Sequence, residues 1–291
     1  MNVGVVGNPS YGDLQALLGR LLAAAPAHGF TLFTEQRLAE LWPGQRPAVW
    51  GSAVQLDFLL TIGGDGTLLR GARLLNGAAT PILGVNVGRV GFLATAPAQN
   101  LDSVLDAAAR RAYTIEPRLA IVATVEDGAG ALRTQPIALN DIVVHKGGVA
   151  RVLRIRLSVD GEEVGAYSAD GIIVATPTGS TAYSLSAGGP IVVPGVEAMV
   201  VTPIAAHTLA VRPLVVPATY RIVIEPMEGW SEDLLVSFDG QTGSALAPGE
   251  SVDVRRADHR VCLIRLGGDG FFGRMRQKLH WGDLSGREES R

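Results

Sequence analysis

One cysteine among 291 residues, Cys262, rules out an internal disulfide and a cysteine-built zinc cluster, and it fits a reducing compartment. Its plainest reading is a buried strand residue. Basic residues are not in excess either: Lys and Arg number 25 against 28 Asp and Glu, giving a formal charge of −3 and a pI near 6.0. With no bulk positive field, neither nucleic acid nor an anionic membrane surface is an expected partner. Mean hydropathy is +0.25, yet each apolar run is broken by Gly, Pro or a charge well short of the roughly 18 residues of a membrane span. The opening MNVGVVGNPS has no basic segment ahead of a long apolar one, so no secretory signal is expected, and the mature chain is expected to begin near Met1. These absences point to the cytoplasm. Charged residues make up 18% and hydrophobic ones 47%, which excludes a disordered chain and a coiled coil. The length suits two domains.

Glycine is the excess. The chain has 36 glycines, about 12%, against a usual share of about 7%, so many tight turns or close backbone approaches are expected. Residues 3–6 read as a strand, 13–25 as a helix with Leu14, Leu17, Leu18, Leu21 and Leu22 on one face, and 30–33, 56–62 and 81–85 as further strands, with helical spacing over 68–75. Strands alternating with helices predict a doubly wound α/β domain with a parallel sheet over residues 1–117. Beyond Pro117 the style changes. Short β-branched runs at 119–125, 137–144, 152–159, 171–175, 220–224, 234–238 and 252–254, punctuated by pairs such as Asp160-Gly161, predict a mostly antiparallel β-sheet domain over 118–260. Residues 261–266 and 271–279 read as strand, glycine turn and helix, so 261–291 forms a segment expected to return to the first domain or to cap the second. The last residues, GREESR, are expected to fray.

Three constellations carry chemistry. The first is Gly63-Gly64-Asp65-Gly66-Thr67 between a strand and a helix. Glycines at such a turn let backbone N–H groups approach a phosphate, and the helix N-terminus adds partial positive charge. An aspartate there would repel that ligand unless a metal or a proton transfer offsets it, so Asp65 reads either as a chemical group or as a helix N-cap. Arg70, one turn on, reads as a phosphate ligand or a solvated charge. The second is the segment 170–190, DGIIVATPTGSTAYSLSAGGP, whose seven hydroxyl side chains from Thr176 to Ser186 offer many donors without net charge. A polar ligand such as a nucleotide fits, and so does a cluster of caps and turns. The third is Asn140-Asp141 inside an apolar run, either a bulge or turn or a holder of ribose hydroxyls, with Arg151 and Arg154 beyond. Five histidines show no metal-ligand spacing, and neither a Walker loop nor a GxGxxG fingerprint is present. Gly267-Gly268-Asp269-Gly270 repeats the glycine tetrad, but Phe271 and Phe272 follow it, so it reads as a turn feeding a packed aromatic pair.

Taken in order, GGDGT, the mid-chain Asn-Asp pair, TPTGSTAYSLSAGGP at 176–190 and the terminal FFGRMRQKLHW resemble the NAD kinase family over most of the chain. GGDGT alone is also found in related lipid kinases and, in similar form, in phosphofructokinases; the 176–190 segment is what resembles NAD kinases specifically. The resemblance implies an α/β domain joined to a β-rich one, and transfer of the γ-phosphoryl group of ATP, with Mg²⁺ or another divalent cation, to the 2′-hydroxyl of the adenosine ribose of NAD. It implies Asp65 as the general base, with Gly63, Gly64, Gly66 and Thr67 forming the phosphate loop. Asn140 and Asp141 would bind the adenosine moiety, Asp170 would lie toward the nicotinamide end, and Thr181, Ala182, Tyr183 and Ser186 would line the pocket. Arg70, Arg151, Ala205 and Gln241 fall where the family places further contacts. Asp141 stands where many members carry Glu, a shorter reach to the ribose. The family is typically homo-oligomeric, so a dimer or tetramer is implied. Two rival readings are a lipid kinase of the same superfamily, which would lack the 176–190 segment, and a non-catalytic dinucleotide sensor, which would lack Asp65.

Overall fold

The structure is a computed structural model that describes residues 1–51, 53–88, 91–127, 129–147, 153–207, 210–227, 234–268 and 270–281. Contacts divide the chain into two compact units, Met1–Pro117 with Cys262–Arg291, and Arg118–Val261.

The first unit is built on a mixed, mainly parallel sheet. Its strands run, edge to edge, Ala48–Val49, Thr31–Thr34, Asn2–Gly7, Phe58–Gly63, Ile82–Asn86, Val261–Arg265 and Thr114–Arg118, with Ala96–Pro97 pairing beside Ile82–Asn86. Alternation along Phe58–Gly63 explains the layers. Phe58, Leu60 and Ile62 join one core with Leu14, Leu17, Leu18 and Leu21 of the helix Leu14–Ala24 and Leu101, Val104 and Leu105 of the helix Leu101–Ala109. Leu59 and Thr61 point to the other face, where Gly71 of the helix Asp65–Leu75 sits so close that a Cβ would lie 2.9 Å from both side chains. Helices therefore cover both faces, as a doubly wound sheet requires. Leu263 pairs in parallel with Ile82, so the strand Val261–Arg265 joins this sheet, with Cys262 half-buried on it. The helix Phe271–Leu279 follows. Phe271 and Phe272 meet edge to face at 5.5 Å, the aromatic pair that the sequence suggests, while Asp269 lies outside the described residues.

Starting from the edge strand Ala48–Val49, the chain order runs backward to Asn2–Gly7 and then jumps to Phe58–Gly63, whose neighbours continue in the opposite sense. Such a reversal opens a crevice at the carboxyl ends of the two central strands, the usual ligand position in open α/β sheets. Here those ends are Gly7 and Gly63.

The second unit is antiparallel. One sheet runs Leu214–Pro217, Ala198–Ile204, Gly171–Ala175, Asp141–Lys146, Leu234–Phe238 and Thr242–Leu246; the other runs Glu162–Ala169, Leu153–Val159, Ile222–Pro226, Ser251–Arg256, Ile121–Glu126 and Leu132–Thr134. They share one core, to which the first sheet sends Ile142, Val144, Ile172, Val174, Val236 and Phe238 and the second sends Ile121, Ala123, Ile155, Leu157, Ile224 and Val252. The period of two that fills this core turns Asp141, Val143 and His145 to the opposite face. One boundary departs from the apolar pattern. The run 137–144 becomes strand only from Asp141, because residues 139 and 140 bend.

Candidate functional site

In the first unit Asp65 opens the helix Asp65–Leu75, but the N-cap position is Gly64 and no side chain caps the helix. The N-cap reading of Asp65 is thereby replaced. Its carboxylate turns away to accept backbone N–H groups, Phe92 at 2.8 Å on Oδ2 and Leu93 and Ala94 at 3.0 Å each on Oδ1. Gly64 and Gly66 are exposed at the head of the helix, Asp65 is half-buried, and Thr67 is buried. A Cβ on Gly63 would lie 2.1 Å from Thr67 Oγ1, so that glycine exists to let the threonine tuck beneath the strand end. Arg70 is not a solvated charge. Its guanidinium donates to both oxygens of the buried Glu35 and to the carbonyl of Gly7, while Glu35 Oε1 also accepts the Gly7 N–H at 3.0 Å. Arg70 thus ties the helix to the carboxyl end of the strand Asn2–Gly7, at the crevice.

In the second unit a cavity of about 340 Å³ is lined by Asn140, Asp141, Val143, His145, Ala182, Tyr183, Ser237, Asp239 and Gly240. Four of the residues singled out from sequence meet here. Ser237 stands opposite Val143 across the strand pair, which continues the cavity floor onto the strand Leu234–Phe238. Asp239, missed in the sequence, organises the site. In a left-handed conformation with φ 52°, its carboxylate accepts three consecutive N–H groups, those of Leu139 at 3.1 Å, Asn140 at 2.7 Å and Asp141 at 3.2 Å. The bend at 139–140 is the consequence. Burial, reinforced by the charge of Asp239, pushes the Asp141 carboxyl up to about 7. The available sequence signal was Asp239-Gly240, which reads as an ordinary hairpin turn.

The 176–190 segment divides by role. Thr176, Thr178, Ser180 and Ser184 are buried: Thr176 donates to the Leu139 carbonyl at 2.5 Å, Ser180 to the Pro177 carbonyl at 2.7 Å, Arg118 donates to Thr178 at 3.0 Å, and Ser184 pairs with Thr202 at 2.9 Å. Thr176 and Ser180 hold the backbone, as the cap-and-turn reading expects, while Thr178 and Ser184 bond other side chains. Tyr183 and Ser186 are exposed and Thr181 and Ala182 half-buried on a 3₁₀ turn, Gly179–Thr181, and a one-turn helix, Tyr183–Ser186. Gly179 lies against Asn140, where a Cβ would come within 2.0 Å of the carbonyl oxygen.

Asp170 and Ala205 gather at the other end of the same strands. Asp141 pairs with Ala175, whereas Gly171 pairs with His145 and Ile204. Four residue steps of about 3.4 Å separate these ends by about 14 Å. Asp170 is bound by Lys146 at 2.7 Å and its N–H donates to the Ile204 carbonyl, and Ala205 is exposed in the left-handed region with φ 45°. Gln241 follows Gly240 at the hairpin tip, its N–H donating to Phe238 O at 3.0 Å. Arg154 is exposed, and Arg151 lies outside the described residues.

A glycine turn with a carboxylate at a sheet reversal in one unit, and a cavity lined by Asn140, Asp141 and Asp239 in the other, are features of a nucleotide-binding enzyme. Models of the ATP-NAD kinase N-terminal domain and the ATP-NAD kinase C-terminal domain match residues 51–113 and 139–266. The chain belongs to the NAD kinase family. It is 49% identical to an NAD kinase of Gemmatimonas aurantiaca, over 99% of each chain, and 38% identical to one of Acidobacterium capsulatum, over 97% of this chain and 99% of the relative. Among solved structures it resembles the yeast NADH kinase complexed with NADH, with TM-score 0.87, 25% identity and coverage of 98% and 88% of the two chains. It also resembles an NAD kinase from Archaeoglobus fulgidus in complex with ATP, with TM-score 0.74, 27% identity and coverage of 96% and 99%.

Proposed function

We propose that this chain transfers the γ-phosphoryl group of ATP to the 2′-hydroxyl of the adenosine ribose of NAD, giving NADP. Asp65 takes the hydroxyl proton, the ribose oxygen attacks the γ-phosphorus, and the bond to ADP breaks. The observation that carries this reading is the Asp65 carboxylate itself, at the head of a glycine turn and oriented by backbone N–H groups instead of capping its helix. Gly63, Gly64, Gly66 and Thr67 form the phosphate loop. Residues 118–260 act as the dinucleotide-binding domain, in which Asn140, Asp141, Thr181, Ala182, Tyr183 and Ser186 hold the adenosine end while Asp170 and Ala205 hold the nicotinamide end. The 14 Å spacing supports that assignment of ends. Arg151 and Gln241 complete the contacts, and Arg70 contributes through its hold on Glu35 and Gly7.

Mg²⁺, when bound, neutralises charge on the transferred phosphoryl group. Among the described residues there is no group of three or more His, Cys, Asp or Glu that could hold a metal; Mg²⁺ carried on nucleotide phosphates keeps several waters and takes one or two carboxylates, a role Asp65 could fill at the glycine turn. We place the enzyme in the cytoplasm as a dimer or tetramer. No helix among the described residues is long and apolar enough to cross a membrane, and the exposed Val193, Val196, Val215 and Tyr220 are side chains that a subunit interface would cover.

The test is NADP formation from NAD, ATP and Mg²⁺ by the purified protein, read with an NADP-specific dehydrogenase. Parallel arms use polyphosphate for ATP and chelator for Mg²⁺, with light scattering for assembly. Product with ATP is expected. Calorimetric NAD binding without product from either donor would move the assignment to a dinucleotide sensor, and absence of NAD binding would move it to a lipid kinase.

A further inference from the structure

The Asp65 carboxylate has about four lone-pair sites, two on each oxygen. Three are occupied by the N–H groups of Phe92, Leu93 and Ala94, two on Oδ1 and one on Oδ2. Among the described residues nothing occupies the remaining site, which is on Oδ2. The orientation of the carboxylate therefore depends on whatever fixes residues 91–95, which belong to no helix or strand.

Arg265 fixes them from far along the chain. Its side chain is 12% exposed; Nη1 donates to the Leu93 carbonyl at 2.7 Å and to Thr95 Oγ1 at 3.3 Å, while Nε donates to Glu116 Oε2 at 2.5 Å. The Leu93 carbonyl and the Ala94 N–H belong to one peptide group. That group is gripped at its oxygen by a guanidinium and at its hydrogen by the Asp65 carboxylate, two charge-assisted hydrogen bonds that polarise it in the same sense. Planarity of the peptide transmits the hold. The segment is secured elsewhere by Asn86 Nδ2, which donates to the Ala94 carbonyl at 3.4 Å. Phe92 is flanked by the Phe271 ring at 6.3 Å and the Lys278 ammonium at 5.2 Å. Gly91 makes the approach possible, since a Cβ there would fall 1.8 Å from Asp65 Oδ1.

We propose that Arg265 is a positioning residue for phosphoryl transfer: acting through the Leu93–Ala94 peptide, it holds Asp65 so that Oδ2 keeps one lone pair for the ribose hydroxyl proton. This rests on the reading of Asp65 as the base. The full chain is compared as wild type, R265M, R265K, G91A and D65N, and as the double variants R265M/D65N and G91A/D65N, with melting temperature and NAD binding followed alongside rates. R265M is expected to lower kcat about 10- to 100-fold, the scale of a misplacement near 1 Å, with the KM for NAD within about twofold of wild type. R265K, which restores one donor, is expected to recover part of the loss. In the D65N background neither R265M nor G91A is expected to cost more, because the group they position is already gone. Equal proportional losses in both backgrounds, or full kcat in a folded R265M, would overturn the proposal. If R265M does not fold, R265Q and R265Q/D65N replace it and are judged by the same criteria. Full activity in D65N would remove the base reading and overturn the proposal with it, an outcome distinct from full kcat in R265M alongside an inactive D65N, which overturns only the role of Arg265.

Discussion

At the residue scale, Asp65 and Asp141 are both carboxylates of the proposed site, and their surroundings differ. Asp65→Asn should keep NAD binding yet lower kcat by about 10² to 10⁴, the contribution of a positioned general base, and should also lower the melting temperature, because the amide nitrogen cannot accept an N–H that a carboxylate oxygen accepts; steady-state kinetics, calorimetric NAD binding and thermal melts check these. Asp141 is buried beside Asp239, and its carboxyl titrates near 7 where the unfolded chain titrates near 3.8. Between those values the folded state binds more protons, so the contribution of this group to stability is full below about pH 4 and falls as pH rises through 7. Asp141→Asn should melt higher than wild type at pH 8, with the gap closing toward pH 4, while weakening NAD binding; thermal melts across that range are the measurement. Asp65, Asn140 and Asp141 were legible because aspartate in a glycine turn, and a polar pair in an apolar run, contradict local preference. Asp239 was not, since Asp-Gly after a strand obeys it, and its three acceptor contacts reach back about a hundred residues.

At the element scale, the strands and helices follow the periodicity closely: the runs 171–175, 234–238 and 271–279 have the bounds of the observed strands and helix. The run 137–144 does not, because a tertiary acceptor bends its first half. The strand Thr114–Arg118 carries little patterned signal, whereas the helix Leu101–Ala109 escaped notice although Leu101, Val104, Leu105 and Ala108 recur at helical spacing. In the 176–190 segment four hydroxyls are buried in structural roles while Tyr183 and Ser186 face outward, a division that depends on which face packs. Gly179→Ala tests the link between this segment and the Asn-Asp bend. The added methyl would overlap the Asn140 carbonyl and is expected to destabilise by about 1–3 kcal/mol and raise the KM for NAD; urea unfolding with an unchanged m-value would attribute the loss to the native state.

At the scale of the whole molecule, two units with separate hydrophobic cores are expected to depart from a single two-state transition. Calorimetry should give a calorimetric enthalpy above the van't Hoff value. NAD at 100 times its Kd should add about 2.7 kcal/mol, with hydrogen exchange showing protection concentrated in residues 118–261; one coincident transition, or protection confined to the first unit, would contradict this. By itself the sequence determined the fold class, the change of style near Pro117 and the placement of a glycine turn between strand and helix. These are local matters, set by hydrophobic period and by the backbone freedom of glycine. The tertiary structure alone decided what orients the site: Arg70 committed to Glu35, Asp239 gripping the bend at 139–141, and Arg265 holding the peptide that Asp65 accepts. Each is a hydrogen-bonding partnership between residues 35 to 172 positions apart, and no periodicity along a chain encodes which buried donor a distant acceptor will meet.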